Sequence, residues 1–174
     1  MAGQRVSQII AVIGGEQADP AALRDAETLG RLLAERGCTV ACGGRGGVMA
    51  AVCRGARKAG GHTIGLLPGM DRSEANRWVE FALPTGLGFA RNTLVVLAGD
   101  AVIAVDGSYG TLSEIGFALV ARRPVVGLGT WSFRYRGRED ESVVPASSPE
   151  EAVKLALQLA RERAAGKEAA NDAR

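Results

Sequence analysis

The feature that most constrains this fold is a series of short apolar runs, most of which stop at glycine or proline. They occupy residues 9–13, 38–42, 63–67, 101–105 and 124–128. Each run is five residues long and contains no charged residue, which is typical of strands buried on both faces. Such strands occur in parallel sheets, because crossover helices cover both sides of the sheet.

The segments between these runs predict helices. Pro20 opens a stretch with leucines at helical spacing, and Gly37 closes it. We predict further helices over residues 48–59, 89–97 and 110–121, and one that begins at residue 148. Residues 79–83 alternate and predict a strand near an edge, and residues 143–144 predict one more. The sequence therefore predicts an α/β class, with a three-layer Rossmann-like fold, a parallel sheet of about six to seven strands, and helices on both faces.

Length and composition limit the function classes. The chain has 174 residues, which suits one domain over residues 1–165, and residues 166–174 are expected to form a disordered tail. A net charge of +2 argues against a nucleic-acid surface, and no apolar stretch is long enough to span a membrane. Three cysteines, without a signal peptide, argue against a disulfide framework and favour a cytoplasmic location.

Glycine clusters follow three of the predicted strands. They are Gly14 with Gly15, the segment from Gly43 to Gly47, and Gly107 with Gly110. Ligands of open parallel sheets bind outside the carboxyl ends of the strands, and the helix that follows offers free N–H groups to an anion. The alternative is that these glycines only form tight turns. No cluster ends in the Gly-Lys-Ser/Thr of a Walker P-loop, so ATP hydrolysis is not predicted. Met49 stands where the G-x-G-x-x-G dinucleotide fingerprint has its third glycine, so NAD binding is not predicted either.

Arg91 and Glu114 are the candidate catalytic pair. An arginine within an apolar helix needs a partner or a ligand. Glu114 follows Thr111 by three residues, so the two could instead form a capping box, and Arg91 could simply pair with Glu114. We predict no metal site, because the single histidine and scattered cysteines form no ligand cluster. Ser108 and Ser113 have no nearby histidine, which excludes a hydrolase triad.

Three of these segments resemble a known family. Residues 107–114, GSYGTLSE, resemble the PGGxGTxxE motif of the Lonely Guy (LOG) family, and residues 43–49 resemble its earlier glycine loop. Arg91 stands at the position of the family's arginine. Residues 88–92 and 124–131 are closer to the branch that contains the molybdenum cofactor carrier proteins. The resemblance spans residues 9–128, and implies a Rossmann-like homo-oligomer, either a homodimer or a homotetramer.

Two activities follow from the resemblance. The carrier branch implies a protein that holds a nucleotide or a phosphorylated pterin, including the molybdenum cofactor, without rapid turnover. The LOG enzymes imply a metal-independent phosphoribohydrolase, which cleaves a nucleoside 5′-monophosphate to free base and ribose 5-phosphate. In that reaction Glu114 would stabilise an oxocarbenium-like centre and Arg91 would orient the substrate. A third alternative is a scaffold whose loops are only structural.

Departures from the LOG pattern favour the carrier. Asp106 replaces the leading proline of the motif, and Asn92 stands where LOG enzymes carry lysine. No required cofactor is predicted, and the partner is a phosphate-containing small molecule. The name "lysine decarboxylase", often given to such proteins, does not fit, because no lysine lies in a strand-end loop. The residues expected at the phosphate or nucleotide are Gly14, Gly15, Gly43, Gly44, Arg45, Gly46, Gly47, Asn92, Asp106, Gly107, Ser108, Tyr109, Gly110 and Thr111.

Overall fold

The computed structural model describes residues 8–172, and the side chains of residues 8–166. Seven parallel strands form one sheet in the order β4-β3-β2-β1-β5-β6-β9. This confirms the predicted α/β class, the parallel sheet and the number of strands. The strands are β1 (Ile9–Gly14), β2 (Thr39–Cys42), β3 (Thr63–Leu67), β4 (Phe81–Pro84), β5 (Ala101–Val105), β6 (Val125–Leu128) and β9 (Val143–Ala146).

Helices cover both faces of the sheet. They are α1 (Pro20–Glu35), α2 (Gly47–Lys58), α3 (Asn92–Ala98), α4 (Tyr109–Val120) and α5 (Pro149–Asp172). Helices α1, α2 and α5 pack on one face and share a large buried core with it. Helices α3 and α4 pack on the other face, over a smaller core. No helix within residues 8–172 is long and apolar enough to cross a membrane.

The order of the strands positions the functional site. From β1 the chain builds β2, β3 and β4 in one direction, and then returns to place β5 on the other side of β1. The loops after β1 and β5 therefore lead to helices on opposite faces of the sheet, which leaves a crevice between them. In open α/β sheets ligands bind at such a switch point.

Several predicted boundaries differ from the structure. The edge strand β4 begins at Phe81 rather than at residue 79. The predicted helix over residues 89–97 begins as a 3-10 turn, Gly88–Arg91, before α3 continues it. A hairpin of β7 (Phe133–Tyr135) and β8 (Arg138–Asp140) was not predicted, because its short exposed strands carry no buried apolar pattern.

The carboxyl-terminal helix also extends beyond the predicted domain end at residue 165. Helix α5 continues to Asp172, through the first part of the segment that we expected to be disordered. Residues 173 and 174, like residues 1–7, lie outside the described part of the chain. Disorder at the extreme end therefore stays a prediction.

Candidate ligand-binding site

A cavity of about 210 Å³ lies at the carboxyl ends of β1, β2 and β5. It combines loop glycines with the start of α4 and with the two candidate catalytic side chains. The lining comprises Ile13, Gly14, Gly15, Glu16, Gly43, Met49, Phe89, Arg91, Asn92, Ser108, Gly110, Thr111 and Glu114. Nine of the sixteen site residues predicted from the sequence are in this lining, which we call the anion chamber.

The first turn of α4 gives the chamber its anion-binding character. Ser108 is the N-cap residue of the helix, and its side chain makes no capping hydrogen bond. The first backbone bond of this turn runs from the Leu112 N–H to the Ser108 carbonyl, so the preceding N–H groups have no partner within the helix. A Cβ added at Gly110 would meet no atom within 4 Å, which leaves room for a ligand beside the backbone. The positive end of the helix dipole adds to the attraction.

This geometry also excludes the capping-box interpretation of Glu114. Helix α4 begins at Tyr109, so Thr111 lies inside the first turn and cannot be the N-cap. Glu114 is therefore one turn further along the helix than a capping box requires. Its carboxylate is buried, and its Oε1 lies 3.7 Å from Nη1 of Arg91. The structure therefore contains the ion pair between Arg91 and Glu114, which is the other alternative predicted from the sequence.

Arg91 is buried between the loop after β2 and helix α4. Its Nη1 donates to Oδ1 of Asn92 at 2.9 Å, while its buried Nε has no hydrogen-bond partner within the described residues. A Cβ at Gly43 would lie 2.6 Å from Nη2, so a larger residue at this position would displace the guanidinium. Arg91 therefore keeps some hydrogen-bonding capacity inside a chamber that it helps to line.

Burial shifts the ionisation of both members of the pair. Desolvation raises the pKa of Glu114 to about 7, against the opposing effect of the Arg91 charge. Desolvation also lowers the pKa of Arg91, which the charge of Glu114 partly offsets. Near neutral pH the carboxyl group therefore exists in both protonation states, whereas Arg91 stays charged. The pair changes from neutral to positive as Glu114 takes up a proton.

Asn92, which stands where LOG enzymes carry lysine, is a buried structural link. It accepts from Arg91, and its Nδ2 lies 3.4 Å from the hydroxyl of Ser113. That hydroxyl donates to the Gly110 carbonyl at 2.7 Å. A chain of hydrogen bonds thus connects Arg91 to the first turn of α4. The amide fixes the position of the arginine relative to the free N–H groups without supplying a charge of its own.

The second glycine loop, Gly43 to Gly47, contacts protein more than open space. Gly47 has φ +59°, and a Cβ there would collide with the carbonyl oxygens of Gly15 and Glu16. The Val48 N–H donates to the Gly15 carbonyl at 3.0 Å, and the Gly44 N–H donates to Sγ of Cys42. Apart from Gly43, the glycines of this loop are absent from the anion chamber lining. The loop serves mainly to hold the turn after β1.

Three further predicted residues, Asp106, Gly107 and Tyr109, are also outside the lining. Asp106 has φ +48°, and its carbonyl accepts a 2.5 Å hydrogen bond from Oγ1 of Thr130. A Cβ at Gly107 would collide with the Thr111 side chain. The exposed ring of Tyr109 lies 6.0 Å from that of Trp131. These residues shape the turn that leads into α4.

A second chamber of about 360 Å³ adjoins the first and shares Glu16, Met49, Phe89 and Arg91 with it. Arg45, Pro68 and Gly88 complete the lining, so Arg45 belongs to this ring chamber, as we call it. Sequence reasoning missed Glu16, Met49 and Phe89. Glu16 could have been found, because it directly follows the strand-end glycines, whereas Phe89 and Met49 look like ordinary helix residues.

A larger cavity of about 530 Å³ lies between the β7–β8 hairpin and the ends of β6 and β9. Its charged lining residues, Glu139, Asp140 and Glu141, are all acidic, so their charge disfavours a phosphate there. Within the described residues, no group of three or more histidines, cysteines or acids could hold a metal ion.

Comparisons with known proteins agree with this architecture. The molybdenum cofactor binding protein from Rippkaea orientalis superposes with a TM-score of 0.79 and 38% identity, over 87% of this chain and 96% of that one. The Moco Carrier Protein from Chlamydomonas reinhardtii gives a TM-score of 0.78 and 34% identity, over 90% of this chain and 99% of its own.

A phosphoribohydrolase is also similar in sequence. The cytokinin riboside 5′-monophosphate phosphoribohydrolase of Mycobacterium marinum is 30% identical over 128 residues, which are 72% of this chain. The chain spans 62% of the length of that enzyme. The model of the SLOG cluster4 family matches residues 7–153. These findings confirm the resemblance predicted from the glycine motifs, and the chain belongs to the SLOG cluster4 family.

Proposed function

We propose that this protein binds a phosphorylated pterin or a nucleotide and carries it without rapid turnover. One observation carries the proposal. The first turn of α4, whose leading N–H groups have no partner within the helix, borders the same chamber as Ser108 and the buried Arg91. An anionic group in this chamber would gain hydrogen bonds and a favourable dipole without having to order the protein.

The molybdenum cofactor fits this arrangement as cargo. It combines a phosphate group with a flat pterin ring, and the two adjoining chambers offer a polar and a more apolar compartment. The two solved relatives are a molybdenum cofactor binding protein and a Moco Carrier Protein, and this chain matches almost their full length, which supports a carrier over an enzyme. The proposal includes the cytoplasmic location predicted from the sequence.

The second candidate function is the phosphoribohydrolase, and Glu114 is the observation in its favour. A carboxylate buried in the chamber beside Arg91 could stabilise positive charge on a ribose ring as its bond to the base breaks. The carboxylate would have to be ionised for this role. A pKa of about 7 leaves a substantial ionised fraction at neutral pH. The similarity to the Mycobacterium marinum enzyme supports this candidate.

One experiment separates the two functions. The purified protein is titrated calorimetrically with molybdopterin released from a molybdoenzyme, and with AMP and GMP, and each nucleotide mixture is then assayed for free base. The carrier proposal expects binding with no base released over hours. Release of base by the wild type, lost in Glu114→Gln, would establish the enzyme instead. Absence of binding by every phosphorylated compound would overturn both proposals.

We also propose that a second copy of the chain covers the α3–α4 face. Large apolar side chains are exposed there, including Leu97, Phe117 and Val120. The edge strand β4 adds Phe81 and Leu83, which lie on the same face as the core beneath α3. Light scattering should give at least a dimer for the wild type. Val120→Asp should shift it to monomer, whereas Arg24→Asp, at an exposed position of α1 on the opposite face of the sheet, should not. A monomeric wild type would refute this assignment.

A further inference from the structure

The ring chamber contains a charged pair whose role the anion chamber does not explain. Nε of Arg45 donates to Oε1 of Glu16 at 3.0 Å, and both side chains are about half exposed. An exposed ion pair adds little to the stability of the fold, so stabilisation does not explain why this pair lies at the chamber. Both residues line the ring chamber, and Glu16 also lines the anion chamber.

This pair is formed between two neighbouring loops. Nδ2 of Asn76 donates to the Arg45 carbonyl at 2.8 Å and to the Gly44 carbonyl at 3.1 Å. A Cβ at Gly46 would lie 3.4 Å from Cγ of Glu16, so the glutamate side chain lies beside the loop that carries Arg45. The arginine donor of the second glycine loop and the carboxylate acceptor of the loop after β1 therefore lie side by side at the ring chamber.

The rest of the chamber suits a flat ring. Met49, Pro68 and Phe89 provide apolar walls, and Phe89 remains 88% exposed although it is a large aromatic residue. A planar heterocycle could pack against this ring and thereby cover apolar surface. Its polar edge would then face Glu16 and Arg45, while a phosphate on its side arm reached the anion chamber.

We propose that Glu16 and Arg45 recognise the 2-amino-4-oxopyrimidine edge shared by pterins and guanine. This inference rests on the proposed phosphate-binding function and names the ring class that the same site selects. The edge presents two adjacent N–H donors, which match a carboxylate, next to a carbonyl, which matches a guanidinium. Adenine presents a ring-nitrogen acceptor where the second donor should be, so it would face the carboxylate with a lone pair.

The test compares calorimetric affinities for GMP, IMP, AMP and 6-hydroxymethylpterin phosphate, with sulfate as a probe of the anion chamber alone. IMP lacks the 2-amino group, so it should bind roughly tenfold more weakly than GMP, as should AMP. Comparing GMP with the pterin phosphate shows whether the site takes guanine nucleotides, pterins or both. Tight binding of either one relative to IMP and AMP supports the proposal.

Variants separate this inference from the proposed function. Glu16→Gln should remove the preference for the 2-amino-4-oxo compounds without weakening sulfate binding, because it takes a negative charge away from the border of the anion chamber. Glu74→Gln is the matched control, because Glu74 also lies near Arg45, at 3.8 Å, but does not line the ring chamber. Equal affinities for all the monophosphates, with sulfate still competing, would overturn the ring recognition alone. No binding of sulfate or of any monophosphate would overturn the phosphate site as well.

Discussion

The glycine-rich segments after β2 and β5 are similar in composition but differ in what their glycines contact. In the loop after β2, Gly44 and Gly47 face neighbouring protein atoms, and a Cβ at Gly47 would strike two carbonyl oxygens. In the segment after β5, Gly107 packs against Thr111, but Gly110 in the first turn of α4 faces open space beside the anion chamber. The first loop supports the structure around the site, and the second exposes its backbone to a ligand. A count of glycines does not distinguish these two uses.

The largest effect is expected at Gly47. Gly47→Ala should lower the free energy of unfolding by about 3–5 kcal/mol, because the residue has φ +59° and has no room for a Cβ. Urea denaturation followed by circular dichroism measures this change. A loss below about 1 kcal/mol would mean that the loop is not a structural support.

The next largest effect concerns Glu114, on the helix after the ligand-facing loop. Its folded pKa of about 7 is above the ordinary 4.5, so its contribution to stability is complete below about pH 4.5 and is lost as pH rises through 7. The pKa difference corresponds to a decrease of about 3 kcal/mol at most in the free energy of unfolding. Denaturation at several pH values should show this slope in the wild type and a flatter one in Glu114→Gln. Identical slopes would show that burial does not shift this group.

A smaller energetic effect, confined to binding, is expected at Gly110. Gly110→Val should leave the free energy of unfolding within about 1 kcal/mol, since its Cβ meets no atom. Sulfate affinity should fall at least about tenfold, because the side chain would block approach to the first turn of α4. Gly116→Val is the matched control on the same helix, where a Cβ also meets no atom and the residue does not line the chamber. Equal sulfate affinities in the two variants would contradict the assignment.

The smallest effect is expected at Ser108. Its hydroxyl lines the anion chamber and makes no capping bond, so Ser108→Ala should weaken sulfate binding about fivefold, the value of one hydrogen bond. Thermal unfolding should change little, because no helix cap is lost. A clear destabilisation with unchanged sulfate affinity would instead show a capping role.

The sequence predicted the sheet well, because buried parallel strands carry a distinctive apolar pattern that stops at the ligand edge. It also singled out Arg91, since an arginine in an apolar helix needs a partner, and offered Glu114 as that partner, which the ion pair confirms. Their catalytic role stays a prediction. It could not tell which glycines face a ligand, because that depends on how the loop after β2 packs on Gly15 and Glu16. The ring chamber was missed for the same reason, since segments distant in sequence form it.

The most direct test follows the backbone amides themselves. Amide resonances of the ¹⁵N-labelled protein are recorded during titration with inorganic phosphate at constant ionic strength. The amides of Gly110 and Thr111 should show the largest shifts, while those of Gly44 and Gly47 should change little. Largest shifts in the Gly43 to Gly47 loop, or no saturable shift at the start of α4, would contradict the assignment of the anion site.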